Sequence, residues 1–145
     1  MTARRTVLLT VTIIAIGACV NLDTENGPAV TVWETQLVPT LDFPGLSGQA
    51  AAVSRPDGTA VGIAVNGALE GAEHAWGLRE GTCSAPGLQV GPDSDYPELL
   101  VDITGSAETE THLGPRLAYD GSYHVEVRVS AADPTRVACG DLVQP

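Results

Sequence analysis

Glu73-His74-Ala75-Trp76-Gly77-Leu78-Arg79-Glu80-Gly81-Thr82-Cys83 is the stretch on which the reading of the chain turns. It reads as a strand running into a cysteine, with His74 and Trp76 on one face because side chains two apart in a strand point the same way. Its counterpart is Tyr123-His124-Val125-Glu126-Val127-Arg128, with valine at every second position, followed by Arg136-Val137-Ala138-Cys139-Gly140-Asp141-Leu142. Working outward, Ala29 to Val38 is rich in β-branched residues and is stopped by Pro39. Gln49 to Ser54 and Thr59 to Val65 flank Arg55-Pro56-Asp57-Gly58, the chemistry of a tight hairpin turn. Glu98 to Thr104 and Ala107 to Leu113 read as two further strands turning at Gly105-Ser106, and Ala107-Glu108-Thr109-Glu110-Thr111 has the alternation of a solvated edge. Ser122 to Ser130 and Arg136 to Leu142 complete the set, and Ser84 to Tyr96 reads as a long loop. No segment keeps a helical period. Short strands punctuated by turns predict an all-β sandwich or barrel, with Trp33, Trp76 and Phe43 as its large core residues.

The beginning of the chain carries a different signal. Met1-Thr2-Ala3-Arg4-Arg5 is basic, a short apolar run follows, and Ile16-Gly17-Ala18 precedes Cys19. This is the layout of a secretory signal peptide, too short for a spanning helix. Ile16-Gly17-Ala18-Cys19 resembles the lipobox of bacterial lipoproteins, which implies cleavage before Cys19, a diacylglycerol on its thiol and an acylated new N-terminus. More than one acyl chain makes a stable anchor. The expected layout is therefore a lipoprotein signal peptide over 1–18, a tether with lipidated Cys19 over 19–28, and one β domain over 29–145. The expected location is the bacterial cell envelope, on the extracytoplasmic side, periplasmic or at the cell surface.

Charge and cysteine count narrow the partners. The chain has 7 Lys+Arg against 18 Asp+Glu, and no lysine. Such a surface repels nucleic acid and anionic headgroups, so the membrane tie is lipid and not charge. Setting Cys19 aside leaves Cys83 and Cys139, an even pair that in an oxidising compartment reads as a disulfide.

The strand ending in Gly81-Thr82-Cys83, the loop after it, the Tyr123-His124-Val125 strand and the closing Ala138-Cys139-Gly140-Asp141 together resemble the copper/zinc superoxide dismutases, in particular their short secreted or lipoprotein bacterial relatives. The resemblance spans about Val30 to Leu142. It implies a Greek-key β-barrel with Cys83 and Cys139 as the intrasubunit disulfide. It also implies a copper-binding His-x-His pair just before the first cysteine, where this chain has Gly77 and Arg79. A further copper histidine is implied where Arg128 stands, and the bridging and zinc ligands in a loop, Ser84 to Tyr96, that has no histidine. Arg136 matches the family arginine that guides superoxide. Guanidinium groups stay cationic and do not ligate metals, so Arg79 and Arg128 are expected to pair with carboxylates such as Glu73, Glu80 or Glu126.

The remaining histidines, His74, His112 and His124, show no tight ligand spacing and read as partly exposed or hydrogen-bonded framework residues. Asp93 and Asp95 lack the ligand ladder of a calcium loop. No nucleophile-base constellation or phosphate cradle is recognisable. The expectation is a lipid-anchored barrel that has lost the metal site and serves as a non-catalytic binding or structural module, without a cofactor. Its protein or ligand partner is unspecified and a homodimer stays open. The alternatives are a divergent copper/zinc superoxide dismutase using His74, His112 and His124, and a β-sandwich of another kind such as the chordin-like bacterial domain.

Overall fold

The protein's structure, a computed structural model, describes residues 29–145. The expected signal peptide and the tether with lipidated Cys19 lie outside the described residues. The domain is built from strands β1 (Thr31–Pro39), β2 (Ser47–Arg55), β3 (Gly58–Asn66), β4 (Glu73–Thr82), β5 (Ala85–Gln89), β6 (Leu99–Leu100), β7 (Ala107–Leu113), β8 (Tyr123–Arg128) and β9 (Arg136–Asp141). They form one curled antiparallel sheet in the order β5-β4-β8-β9-β1-β2-β3-β7, with β6 added to β4. Neighbours far apart in sequence, β1 with β9, β3 with β7 and β4 with β8, give it a Greek-key order. The expected disulfide joins Cys83 to Cys139, with Cα atoms 6.0 Å apart.

Local chemistry accounts for the elements. The β2–β3 hairpin closes with Arg55 opposite Gly58, leaving Pro56-Asp57 as its turn. Gly58 has φ +139, a value that L side chains rarely adopt, and a Cβ there would collide with the Leu113 carbonyl. Alternation then sorts the faces. Trp33 and Leu37 of β1, Ala50 and Ala52 of β2, Val61, Ile63 and Val65 of β3, Trp76 and Leu78 of β4, and Val125 and Val127 of β8 all enter one core. Trp33 stands edge-on to Tyr123 and Trp76 edge-on to Tyr96, with ring centroids 5.9 and 5.1 Å apart. The Trp76 indole donates to the Pro97 carbonyl at 2.7 Å, and the Tyr96 hydroxyl donates to the Val90 carbonyl, so both buried polar tips are satisfied. Burial pushes the Tyr96 phenol up to about 12.

Several expectations need correction. The first strand starts at Thr31 and runs through Pro39, and Phe43 is only partly buried against the core. The stretch expected as a long loop contains β5, followed by a single 3-10 turn at Asp93–Asp95. Pro86-Gly87 gave β5 no strand signal; it forms because the Cys83-Ser84 turn folds the chain back on β4, with Thr82 opposite Ala85, and the register shifts between Arg79 and Gly81 (φ +80). The strand expected over Glu98 to Thr104 reduces to Leu99–Leu100. Asp102 ends it: its carboxylate accepts from the Thr104 and Ser106 amides at 2.8 and 3.1 Å and bends the chain into a turn. These bonds, with one from the Thr104 hydroxyl, hold the Asp102 carboxyl below the usual range.

The loops over 40–46, 67–72, 101–106 and 129–135 all leave the same end of the barrel. Three of them interlock. The Ala68 amide donates to the Gly105 carbonyl (3.1 Å), Gly71 to Val101 (3.1 Å) and Val101 to Ala72 (2.9 Å). Gly67, with φ +76, lets Gly45 approach so closely that a Cβ would collide with the Gly45 carbonyl.

Candidate functional site

The positions that the family resemblance marks as metal ligands lie on the outer face of β4 and β8. Register places Gly77 opposite Glu126, Arg79 opposite His124 and Ala75 opposite Arg128. Glu126 is thus the centre of the group. Its Oε1 lies 3.4 Å from Arg79 Nη1 and 3.9 Å from Arg128 Nε, so one carboxylate serves two guanidiniums. The Arg79 guanidinium also donates to the Gly87 carbonyl through Nε (3.2 Å) and Nη2 (3.0 Å). Gln89 packs over Gly77, and a Cβ at Gly77 would meet Gln89 Oε1 at 3.0 Å. Glu126, not Glu73 or Glu80, is therefore the carboxylate that pairs the arginines. The site's cover comes from β5, the strand missing from the sequence reading.

This donor set does not fit copper or zinc. It offers one carboxylate already held by two permanent cations, and no imidazole at Gly77, Arg79 or Arg128. The side chains carry 27% (Arg79), 17% (Arg128) and 12% (Glu126) exposure, so the pairing is partly shielded from water and stronger than a surface ion pair. Arg136 lies at the neighbouring corner. Its Nη1 donates to the Cys83 carbonyl at 2.6 Å and lies 3.8 Å from Cys139 Sγ, while the Cys83 amide donates to Asp141 Oδ1 at 2.6 Å. Arg136 braces the disulfide and the segment it ties down.

The three histidines are not brought together. His74 shares the inward parity of Trp76 and packs with its Nδ1 3.2 Å from the Arg128 carbonyl oxygen. His124 shares the outward parity of Glu126 on β8. His112 is exposed on β7, in the other half of the sheet. Among the described residues, no group of three or more His, Cys, Asp or Glu side chains is arranged to hold a metal ion. His124 corrects the framework reading: it is fully buried, and neither ring nitrogen has a hydrogen-bond partner.

A second feature lies on the outer face of β1, β2, β3 and β7. Two cross-strand rows, Glu34-Ala51-Gly62-Glu110 and Gln36-Gln49-Ala64-Glu108, line an open trough of about 690 Å³. Small residues form its floor and carboxylates its walls, which gives it a negative potential. Glu108 and Glu110 were legible as a solvated edge. The trough was not, because it needs the register of four strands. Asp93 and Asp95 are used locally: Asp93 Oδ1 accepts from Gln89 Nε2 at 2.7 Å, and the Asp95 carbonyl accepts from the Thr111 hydroxyl.

No family model matches the sequence, and no curated protein matches it.

Proposed function

We propose that this chain is a lipid-anchored envelope protein whose superoxide dismutase-like barrel has exchanged its metal site for an ion cluster and works as a non-catalytic binding module. The observation that carries this reading is the Glu126 carboxylate held between Arg79 and Arg128 at the positions where the family resemblance expects imidazoles. The strand order and the Cys83–Cys139 bond support the family resemblance itself. An arginine pair at these positions repels a metal cation, and Gln89 fills the space above Gly77. Arg136, deprived of a metal towards which to guide an anion, is used to brace the disulfide. The anchor rests on the lipobox resemblance at Cys19.

The test is to isolate the full chain from membranes, load it with copper and zinc, dialyse it, and measure metal per chain and superoxide dismutation on the same sample. The expected outcome is metal well below stoichiometric and no dismutation. Stoichiometric copper with dismutation would overturn the reading. Release of the Cys19→Ser variant from membranes is expected, and its retention there would remove the anchor.

A further inference from the structure

The interlocked loops at one end of the barrel carry the most exposed large aliphatic side chains of the domain. Leu41 is 98% exposed, Ile103 83% and Leu69 82%. Isolated exposed leucines are ordinary on protein surfaces. These differ in two respects. Each stands beside an exposed carboxylate in sequence, Leu41 with Asp42, Leu69 with Glu70 and Ile103 with Asp102. And their loops are fixed to one another, by the backbone bonds between 67–72 and 101–106 and by the approach of Gly45 to Gly67. Asp102 further locks the turn that presents Ile103, through Thr104 and Ser106.

We propose that this end of the barrel docks a protein partner whose contact face is basic and has apolar sockets for Leu41, Leu69 and Ile103. The proposal deepens the binding-module reading above and rests on it. Charge decides the kind of partner. Asp42, Glu70, Glu73, Asp102 and Asp133 are all exposed at this end, and none forms an ion pair among the described residues. The exposed arginine of the described domain, Arg55, lies in the hairpin at the opposite end. A second copy of the chain would bring these carboxylates against themselves. An anionic lipid surface would meet the same repulsion, and inserting the tips would draw their carboxylates out of water. A cationic protein face satisfies both the acids and the aliphatic tips. The fixed loops reduce the ordering entropy lost on binding.

The experiment places a photoreactive amino acid at position 69 or 103 of the full chain, and at 88 as control, in the cell that makes the protein. Leu88 is also a large exposed aliphatic residue, 76% exposed, but lies on β5. After irradiation the adducts are identified by mass. The expected result is a protein adduct at 69 and 103, absent at 88, attached within a Lys- or Arg-rich segment of the partner. Its yield should fall at least tenfold when Asp42→Lys and Glu70→Lys are added, with the melting temperature of the chain unchanged. Any of four results overturns the proposal: adducts to lipid, adducts to a second copy of the chain, no position-specific adduct at 69 and 103, or a yield indifferent to charge reversal. Copper content is blind to this face, so failure of the docking proposal and failure of the metal-loss reading show in different measurements.

Discussion

Breaking the Cys83–Cys139 bond should cost a large share, though not all, of a typical margin of stability of about 5–15 kcal/mol. The two residues are 56 apart in sequence. Cross-linking them removes about 14 cal/mol/K of loop entropy from the unfolded chain, or about 4 kcal/mol at 25 °C. For a domain of this length, 1 kcal/mol corresponds to about 4 °C in Tm, so the expected fall is about 15 °C. Part of the native geometry should survive reduction, since the Arg136 bond to the Cys83 carbonyl and the Cys83 amide bond to Asp141 do not depend on the sulfur–sulfur link. The loss should therefore act through the unfolded state, with little change in the folded one. The assay is thermal melting by near-UV circular dichroism of the parent and the Cys83→Ser/Cys139→Ser double variant, with and without reductant. The parent in reductant should melt with the double variant, and both should keep a native-like spectrum below the transition. A fall of less than about 3 °C would refute the reasoning, because loop closure of this length cannot be that small unless the unfolded chain is already constrained there.

Three other outcomes are expected. Glu126→Leu leaves Arg79 and Arg128 facing each other without their shared carboxylate, and should lower stability by about 2 kcal/mol, less than for a fully buried pair because the side chains keep some water contact; an unchanged urea midpoint would count against the cluster. His124→Leu replaces two unsatisfied buried nitrogens with apolar atoms of similar bulk and should raise the urea midpoint, whereas a lower midpoint would mean that the ring has partners. The folded Tyr96 phenol, pushed up to about 12 from 10.0, favours folding fully below pH 10, and that contribution is lost as pH rises towards 12. Tyr96→Phe should flatten this alkaline loss, and a parent whose stability stays level from pH 9 to 11.5 would disprove the shift.

The sequence exposed the fold where local chemistry and tertiary structure agree. β2 and β3 were legible because Pro56-Asp57-Gly58 makes a turn that no other element needs, and β8 because Val125 and Val127 alternate towards the core. β5 was hidden because its Ala-Pro-Gly composition argues against a strand, and only pairing with β4 overrides that. The shortened β6 was hidden for the opposite reason: Leu99-Leu100-Val101 favours extension, but the Asp102 carboxylate captures the following amides. At the candidate site, Arg79 and Arg128 were read as needing a carboxylate, yet choosing Glu126 over Glu73 and Glu80 required the β4–β8 register. The isolation of His124 was not legible, since a buried ring without partners leaves no pattern in the chain.

The place of β1 has a consequence for the order of events during synthesis. β1 lies between β2 and β9, and Glu34 exchanges backbone hydrogen bonds with Val143 at 2.8 and 3.0 Å. β1 is therefore completed only by residues far later in the chain, those of β9 and Val143. A nascent chain can close the β2–β3 hairpin early, because its partners are adjacent, but β1 keeps one open edge until β9 has emerged. Pairings of such long sequence separation place the domain among the slower folders. Throughout that interval the edge of β1 is available to the wrong strand, so loss of β9 or of the Val143 bridge should expose β1 to mispairing while leaving the β2–β3 hairpin able to close.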